Sequence, residues 1–162
     1  MTAVLTITEA PLAVHPAALE GKRRDALRLT WEERRWTRKR VVTTSGREIA
    51  LALPTGSVLQ PGAIIALEGD WYLAVEARPE PVLAVSPRNR EEAIRIAFGV
   101  GNRHFPLALC GDLLLVPDDG AMAQLLVRLG AVWERREAVF DPIDGGRHHG
   151  ASAFGAHAHE HA

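Results

Sequence analysis

At 162 residues and 47% hydrophobic content, the chain is long enough for one or two small domains with a real core. A net charge of -1 and a pI near 6.7 give no global pull toward nucleic acid or an acidic membrane, and the single cysteine, Cys110, excludes an internal disulfide framework and any Cys-rich zinc module. No apolar stretch approaches the ~18 residues of a membrane span, and Met1-Thr-Ala-Val-Leu-Thr-Ile lacks the basic start and long apolar run of a signal peptide, so the expectation is a cytoplasmic protein that binds neither nucleic acid nor membrane.

In chain order, residues 1–78 read as a small β domain. Short β-rich runs cover Ala26 to Trp31, Arg40 to Thr43, Glu48 to Leu53, Ala63 to Leu67 and Trp71 to Ala77, split by the turn dipeptides Ser45-Gly46, Pro61-Gly62 and Gly69-Asp70. Arg34, Arg35, Arg38, Lys39 and Arg40 form a basic cluster interleaved with Trp31 and Trp36. It reads first as a solvated hairpin face, with RNA, an acidic strand or a partner protein as the other occupants such a patch takes. His15, between Val14 and Pro16, has no partner in sequence and is expected on the surface.

Arg78-Pro79-Glu80-Pro81 marks a stiff boundary, after which residues 79–140 read as β-α-β-β-α-β, the split βαβ or ferredoxin-like order. Val82 to Val85 is the first strand. Ser86 is expected to cap a helix whose first residue is Pro87, with Glu91 and Glu92 in its early turns and Ala93, Ile96, Ala97 and Val100 on its apolar face. Pro106 to Cys110 and Asp112 to Val116 make a strand pair folded at Gly111, in which Cys110 is expected as a buried, inert thiol. Asp118 or Asp119 starts a second helix carrying Met122, Leu125, Leu126 and Leu129, Gly130 stops it, and Ala131 to Phe140 is the last strand. The fold class is therefore α+β, ending in a disordered His-rich tail over residues 141–162.

That tail holds five of the seven histidines within the last fifteen residues: His148, His149, His157, His159 and His161. They lie among Gly, Ala and Ser that bury nothing, and the interruptions argue against a purification tag. Imidazole is a preferred ligand for zinc, copper and nickel, so the composition reads as metal-binding. In an extended chain His157, His159 and His161 point to one side and two or three of them close on one ion.

The segment that decides function is Gly101-Asn102-Arg103-His104-Phe105-Pro106. Together with Leu29-Thr30-Trp31-Glu32-Glu33-Arg34, Arg38, Thr44-Ser45-Gly46-Arg47-Glu48, Leu53-Pro54-Thr55-Gly56, Glu80 to Val85, Leu129-Gly130, Ala138-Val139-Phe140-Asp141-Pro142 and the histidine tail, it makes the chain resemble the UreE family of urease accessory proteins over nearly its whole length. The resemblance implies a nickel metallochaperone that carries Ni(II) as cargo, with Zn(II) and Cu(II) as further ions such ligands take. It implies a homodimer in which each subunit contributes His104 to a shared site, tail histidines as auxiliary ligands, and delivery to apo-urease in an activation complex with an accessory GTPase. The chain departs from the family at Val116-Pro117-Asp118-Asp119-Gly120, where members carry extra histidines, and at Leu107-Ala108, where Gln is common. A peripheral metal site at the first of these is not expected here.

Without the family, a lone histidine at a helix end reads first as structural or solvated. One imidazole does not hold a divalent ion, since zinc takes about four ligands, but a symmetric dimer brings a second His104 to the same axis. An enzymatic reading has no support: there is no His-Glu-x-x-His set and no Gly-x-x-x-x-Gly-Lys-Ser/Thr loop. The competing class is a passive nickel, zinc or copper buffer, which needs the tail and not His104.

Overall fold

The computed structural model describes residues 4–143 and shows an N-terminal β region followed by a β-rich region with two helices. The first region holds β1 (Leu5–Ile7), β2 (Arg23–Leu29), β3 (Arg38–Val42), β4 (Glu48–Ala52), β5 (Ile64–Leu67) and β6 (Trp71–Ala77), in two three-stranded sheets of order β1-β4-β3 and β2-β6-β5. β3 and β4 form a hairpin with Arg38 opposite Ala52 and Val42 opposite Glu48; Gly46 supplies the left-handed residue of its turn, φ 84°. Strand alternation turns Val41, Ile49 and Leu51 of one sheet toward Leu27, Leu29, Leu73 and Val75 of the other, giving one shared core. β1, three residues long and paired in parallel with β4, has no local sequence signal and is stabilised by that distant partner.

β2 ends at Leu29 rather than running on to Trp31. The Thr30 N–H donates to Glu33 Oε2 at 2.9 Å and the Glu33 N–H donates to Thr30 Oγ1 at 3.3 Å, a reciprocal capping exchange that turns the chain into a single 3-10 turn over Glu33–Arg35. β2 is tied to the hairpin tip by Asp25, which is 6% exposed. Its carboxylate accepts from Thr43 Oγ1 at 2.6 Å, Thr44 Oγ1 at 3.0 Å, the Ser45 N–H at 3.1 Å and the Ser45 hydroxyl. Burial pushes this carboxyl up, but the Ser45 and Thr43 hydroxyls and the Ala26 and Ser45 amides outweigh it and hold it at about 2.

The second region runs β7 (Glu80–Ser86), α1 (Arg90–Gly101), β8 (Ala108–Cys110), β9 (Leu113–Pro117), α2 (Gly120–Arg128) and β10 (Val132–Ala138), the β-α-β-β-α-β element order read from the sequence. Its sheet has the order β10-β7-β9-β8 with every neighbouring pair antiparallel. β7 is central and buried on both faces, which explains its unbroken apolar run. Leu83 and Val85 face the helices, where Ile96, Val100, Met122, Leu125 and Leu126 cover them; Val82 and Ala84 face the other way. No helix among the described residues is long and apolar enough to cross a membrane.

Two expectations are corrected here. α1 begins at Arg90 and its cap is Asn89, not Ser86: Asn89 Oδ1 accepts the Glu92 N–H at 2.8 Å, while the Glu92 carboxylate accepts the Arg88 N–H at 2.6 Å, leaving Pro87 outside the helix. The basic cluster is not one solvated face. Arg38, Lys39 and Arg40 are exposed on β3, but Arg34 is 0% exposed, with its guanidinium 5.3 Å from the Trp31 ring. It donates to the Phe140 carbonyl at 2.6 Å and to Asp141 Oδ1 at 3.1 Å. α2 settles the choice between its two candidate caps in favour of Asp119, whose carboxylate accepts from Ala121 and Met122.

Beyond β10 the chain crosses the sheet face opposite the helices. Phe140, 1% exposed, packs with Val82, Ala84, Leu115 and Ala108, and the Ile143 N–H reaches the Leu107 carbonyl at 2.8 Å, beside β8 at the far edge.

Candidate metal centre

The candidate site starts from how α1 stops. The Phe105 N–H bonds to the Val100 carbonyl at 3.4 Å and the His104 N–H to the Gly101 carbonyl at 2.9 Å, the paired bonds of a Schellman motif. The apolar closure such a motif favours is supplied by Phe105, which packs against the helix core cluster that includes Val100. The motif requires a left-handed residue just before Phe105. That residue is His104, φ 59°, and no other non-glycine among the described residues has a positive φ. A residue with a β-carbon held there costs about 1–2 kcal/mol relative to right-handed backbone, though histidine is one of the side chains found there more often than most. The same turn that sends Phe105 inward leaves His104 exposed.

One imidazole is what the turn offers. Among the described residues no three His, Cys, Asp or Glu side chains come together as a metal-ligating group. A divalent ion on His104 therefore needs ligands from a second copy or from outside the described residues, since zinc takes about four. His148, His149, His157, His159 and His161 all lie outside the described residues. His15 is exposed as expected but has a local partner: its Nδ1 accepts the Ala17 N–H at 3.2 Å and caps the Pro16–Leu19 turn. Cys110 is exposed, not buried. The alternating pattern misled there because β8 is an edge strand of three residues, and Cys110 sits at its end against the Gly111 turn. On α1, ten and six residues before His104, Ile94 and Phe98 are 60% and 70% exposed.

The sequence model of the N-terminal domain of the UreE urease accessory protein matches residues 7–78, and that of its C-terminal domain matches residues 80–162. The chain belongs to the UreE urease accessory protein family. It is 41% identical over 132 residues to the urease accessory protein UreE of Synechococcus sp. (strain JA-3-3Ab), covering 80% of this chain and 88% of that one. It is 35% identical over 141 residues to the UreE protein of Ralstonia nicotianae (85% and 67% covered), and 33% identical over 137 residues to that of Acinetobacter baylyi (85% and 82%). Membership in UreE makes the chain a urease accessory protein.

What sequence reasoning missed at the site is the backbone of His104. A signal was present: a helix end followed by one polar residue and then Phe105 is the spacing of a Schellman closure, with histidine where glycine is usual. The burial of Arg34 had no comparable signal, because its partners are more than a hundred residues away in sequence.

Proposed function

We propose that this chain is a nickel metallochaperone for urease maturation, in which Ni(II) is cargo held by His104 from each subunit of a homodimer and by tail histidines. The observation that carries the reading is the exposed His104 fixed in a left-handed turn where glycine would be less strained. The turn sets the imidazole on a rigid frame at the end of a packed helix. Because one chain supplies a single framed ligand, a two-fold axis through the site doubles it at no cost in sequence. The exposed Ile94 and Phe98 on the same helix give that axis an apolar surface to bury.

The rest of the reading follows from this. Residues 1–78 form the β domain, 79–140 a ferredoxin-like domain that binds metal and dimerises, and 141–162 the His-rich tail. Nickel passes to apo-urease in an activation complex that includes an accessory GTPase, in the cytoplasm. The ligands also accept Zn(II) and Cu(II), copper at least as well as nickel by the general stability order of divalent metals. The test is calorimetric titration with nickel beside a measurement of molecular size, on the full chain and on the full chain with His148, His149, His157, His159 and His161 all changed to Ala. Stoichiometry should fall in the variant while at least one site per dimer survives. A variant that binds no nickel makes the chain a tail-based buffer and overturns the role of His104.

A further inference from the structure

We infer that Phe105 is a positioning residue for metal binding: by anchoring the turn after α1 in the core, it holds His104 in the left-handed backbone that presents its imidazole. The inference rests on the functional reading above and assigns to that site the side chain that sets its affinity.

Gly101, Asn102, Arg103 and His104 are all exposed, so none of their side chains is packed in a way that would hold the turn. The chain is gripped on either side of them. Val100, 0% exposed, lies in the core between α1 and α2, and Phe105, half-buried, packs against the same cluster. The Val100 carbonyl accepts the Arg103 N–H at 3.1 Å and the Phe105 N–H at 3.4 Å. The second of these is longer than an ordinary N–H···O bond and is too weak to hold a strained residue by itself. The burial of Phe105 is therefore the main attachment next to His104.

Relief of the strain has one obvious route, in which His104 turns right-handed and α1 runs on. That route swings Phe105 out of the core, and Pro106 opposes it as well, because helical backbone is disfavoured just before a proline. The magnitudes are close. Right-handed backbone is preferred to left-handed about 5- to 30-fold for a residue with a β-carbon, while full burial of a Phe side chain is worth about 10- to 150-fold, of which half-buried Phe105 supplies a part. A turn poised between terms of the same size is sensitive to this one side chain. Without it the left-handed form falls to about one part in 5 to one in 30, and the apparent affinity of a site falls by the fraction of the competent state that is lost.

The experiment uses full-length chains in which His148, His149, His157, His159 and His161 are all changed to Ala, so that nickel reports on His104. Nickel affinity is measured by competition with a chromophoric chelator on this parent and on the parent carrying Phe105→Ala, Phe105→Leu or Met122→Ala, beside amide hydrogen exchange of the metal-free chains. Phe105→Ala is expected to weaken nickel binding about 5- to 30-fold and to speed exchange at residues 104 and 105. Phe105→Leu keeps an apolar anchor and should retain most of the affinity. Met122→Ala empties a wholly buried position of the same cluster in the first turn of α2 and should leave affinity unchanged. Wild-type affinity in Phe105→Ala overturns the positioning role, and so does an equal loss in Met122→Ala, which would mark a merely structural effect of a weakened core. If Phe105→Ala does not fold, Phe105→Val shortens the same anchor and the same comparison with Met122→Ala decides. A parent that binds no nickel overturns the functional reading, and the positioning role with it; a parent that binds while Phe105→Ala loses nothing overturns the positioning role alone.

Discussion

The two helices of the C-terminal region stop in the same way with different residues. At the end of α2 the Ala131 N–H bonds to the Leu126 carbonyl and the Gly130 N–H to the Val127 carbonyl, both at 3.0 Å, with Gly130 at φ 64°. At the end of α1 Phe105 and His104 make the equivalent bonds and His104 sits at φ 59°. The backbone asks for the same conformation at both ends and glycine meets it at the lower cost. Since the fold has a glycine solution one helix away, the backbone alone does not account for the histidine, which supports the ligand role proposed for its side chain.

The largest effect is expected where the side chain is removed and the turn is kept. His104→Gly leaves the backbone what it wants and should weaken the tightest nickel site by more than about 100-fold, since ligand-supporting groups alone are worth ~10- to 100-fold and this change deletes a ligand from each subunit. Calorimetric titration checks it, and tight binding of wild-type strength sinks the role of His104. Adding Gly130→His to that variant moves an imidazole to the other left-handed turn. Recovery of tight binding by the double variant would show that any framed histidine suffices and that the place of His104 carries no information.

How much of this was legible depends on how far each feature reaches along the chain. Gly130 was readable as a stop because glycine announces a left-handed residue, and the element order of the second region was readable because α2 carries its apolar residues at helical spacing and β7 is a short unbroken run. The start of α1 was misread because Ser86-Pro87 looks like a cap and first residue, and the Asn89-to-Glu92 exchange that decides the matter competes with it two residues on. Arg34 and Cys110 failed for a longer-range reason: burial of one is made by Phe140 and Asp141, and exposure of the other by the place of β8 at a sheet edge. His104 was picked out as a ligand from its residue type and setting, but its conformation was not, because nothing local forces a histidine to φ 59° except the Phe105 closure.

Asp25 is a charged group whose every need is met inside the chain, by Thr43, Thr44, Ser45 and Ala26, whereas among the described residues His104 is part of no cluster of three metal-ligating side chains. A carboxyl held at about 2 in the folded chain, against 3.8 for the free group, binds its proton less readily when folded. Its contribution is therefore fully present above pH 3.8 and is lost as pH falls through that value toward about 2. On that basis Asp25→Asn should lower unfolding stability by about 2 kcal/mol at neutral pH, and the gap to wild type should close in acid. Urea titrations at several pH values follow both. A gap that is the same at neutral pH and in acid would mean that the carboxylate charge is not what ties β2 to the hairpin.

The smallest expected effect tests the premise that the two helix ends ask for the same backbone. A β-carbon added to Gly130 meets no atom within 4 Å, so Gly130→Ala changes conformational preference without a clash. It should destabilise by about 1–2 kcal/mol, the penalty for a left-handed residue with a side chain. His104→Gly is the reverse change in the same geometry and should stabilise the metal-free protein by up to about 1 kcal/mol, less than the full penalty because glycine also gains freedom in the unfolded chain. Denaturant midpoints of the two variants in the presence of a chelator give both numbers. If His104→Gly is instead destabilised, the imidazole holds the turn together, and the strain at His104 is no longer evidence that the residue is there for metal.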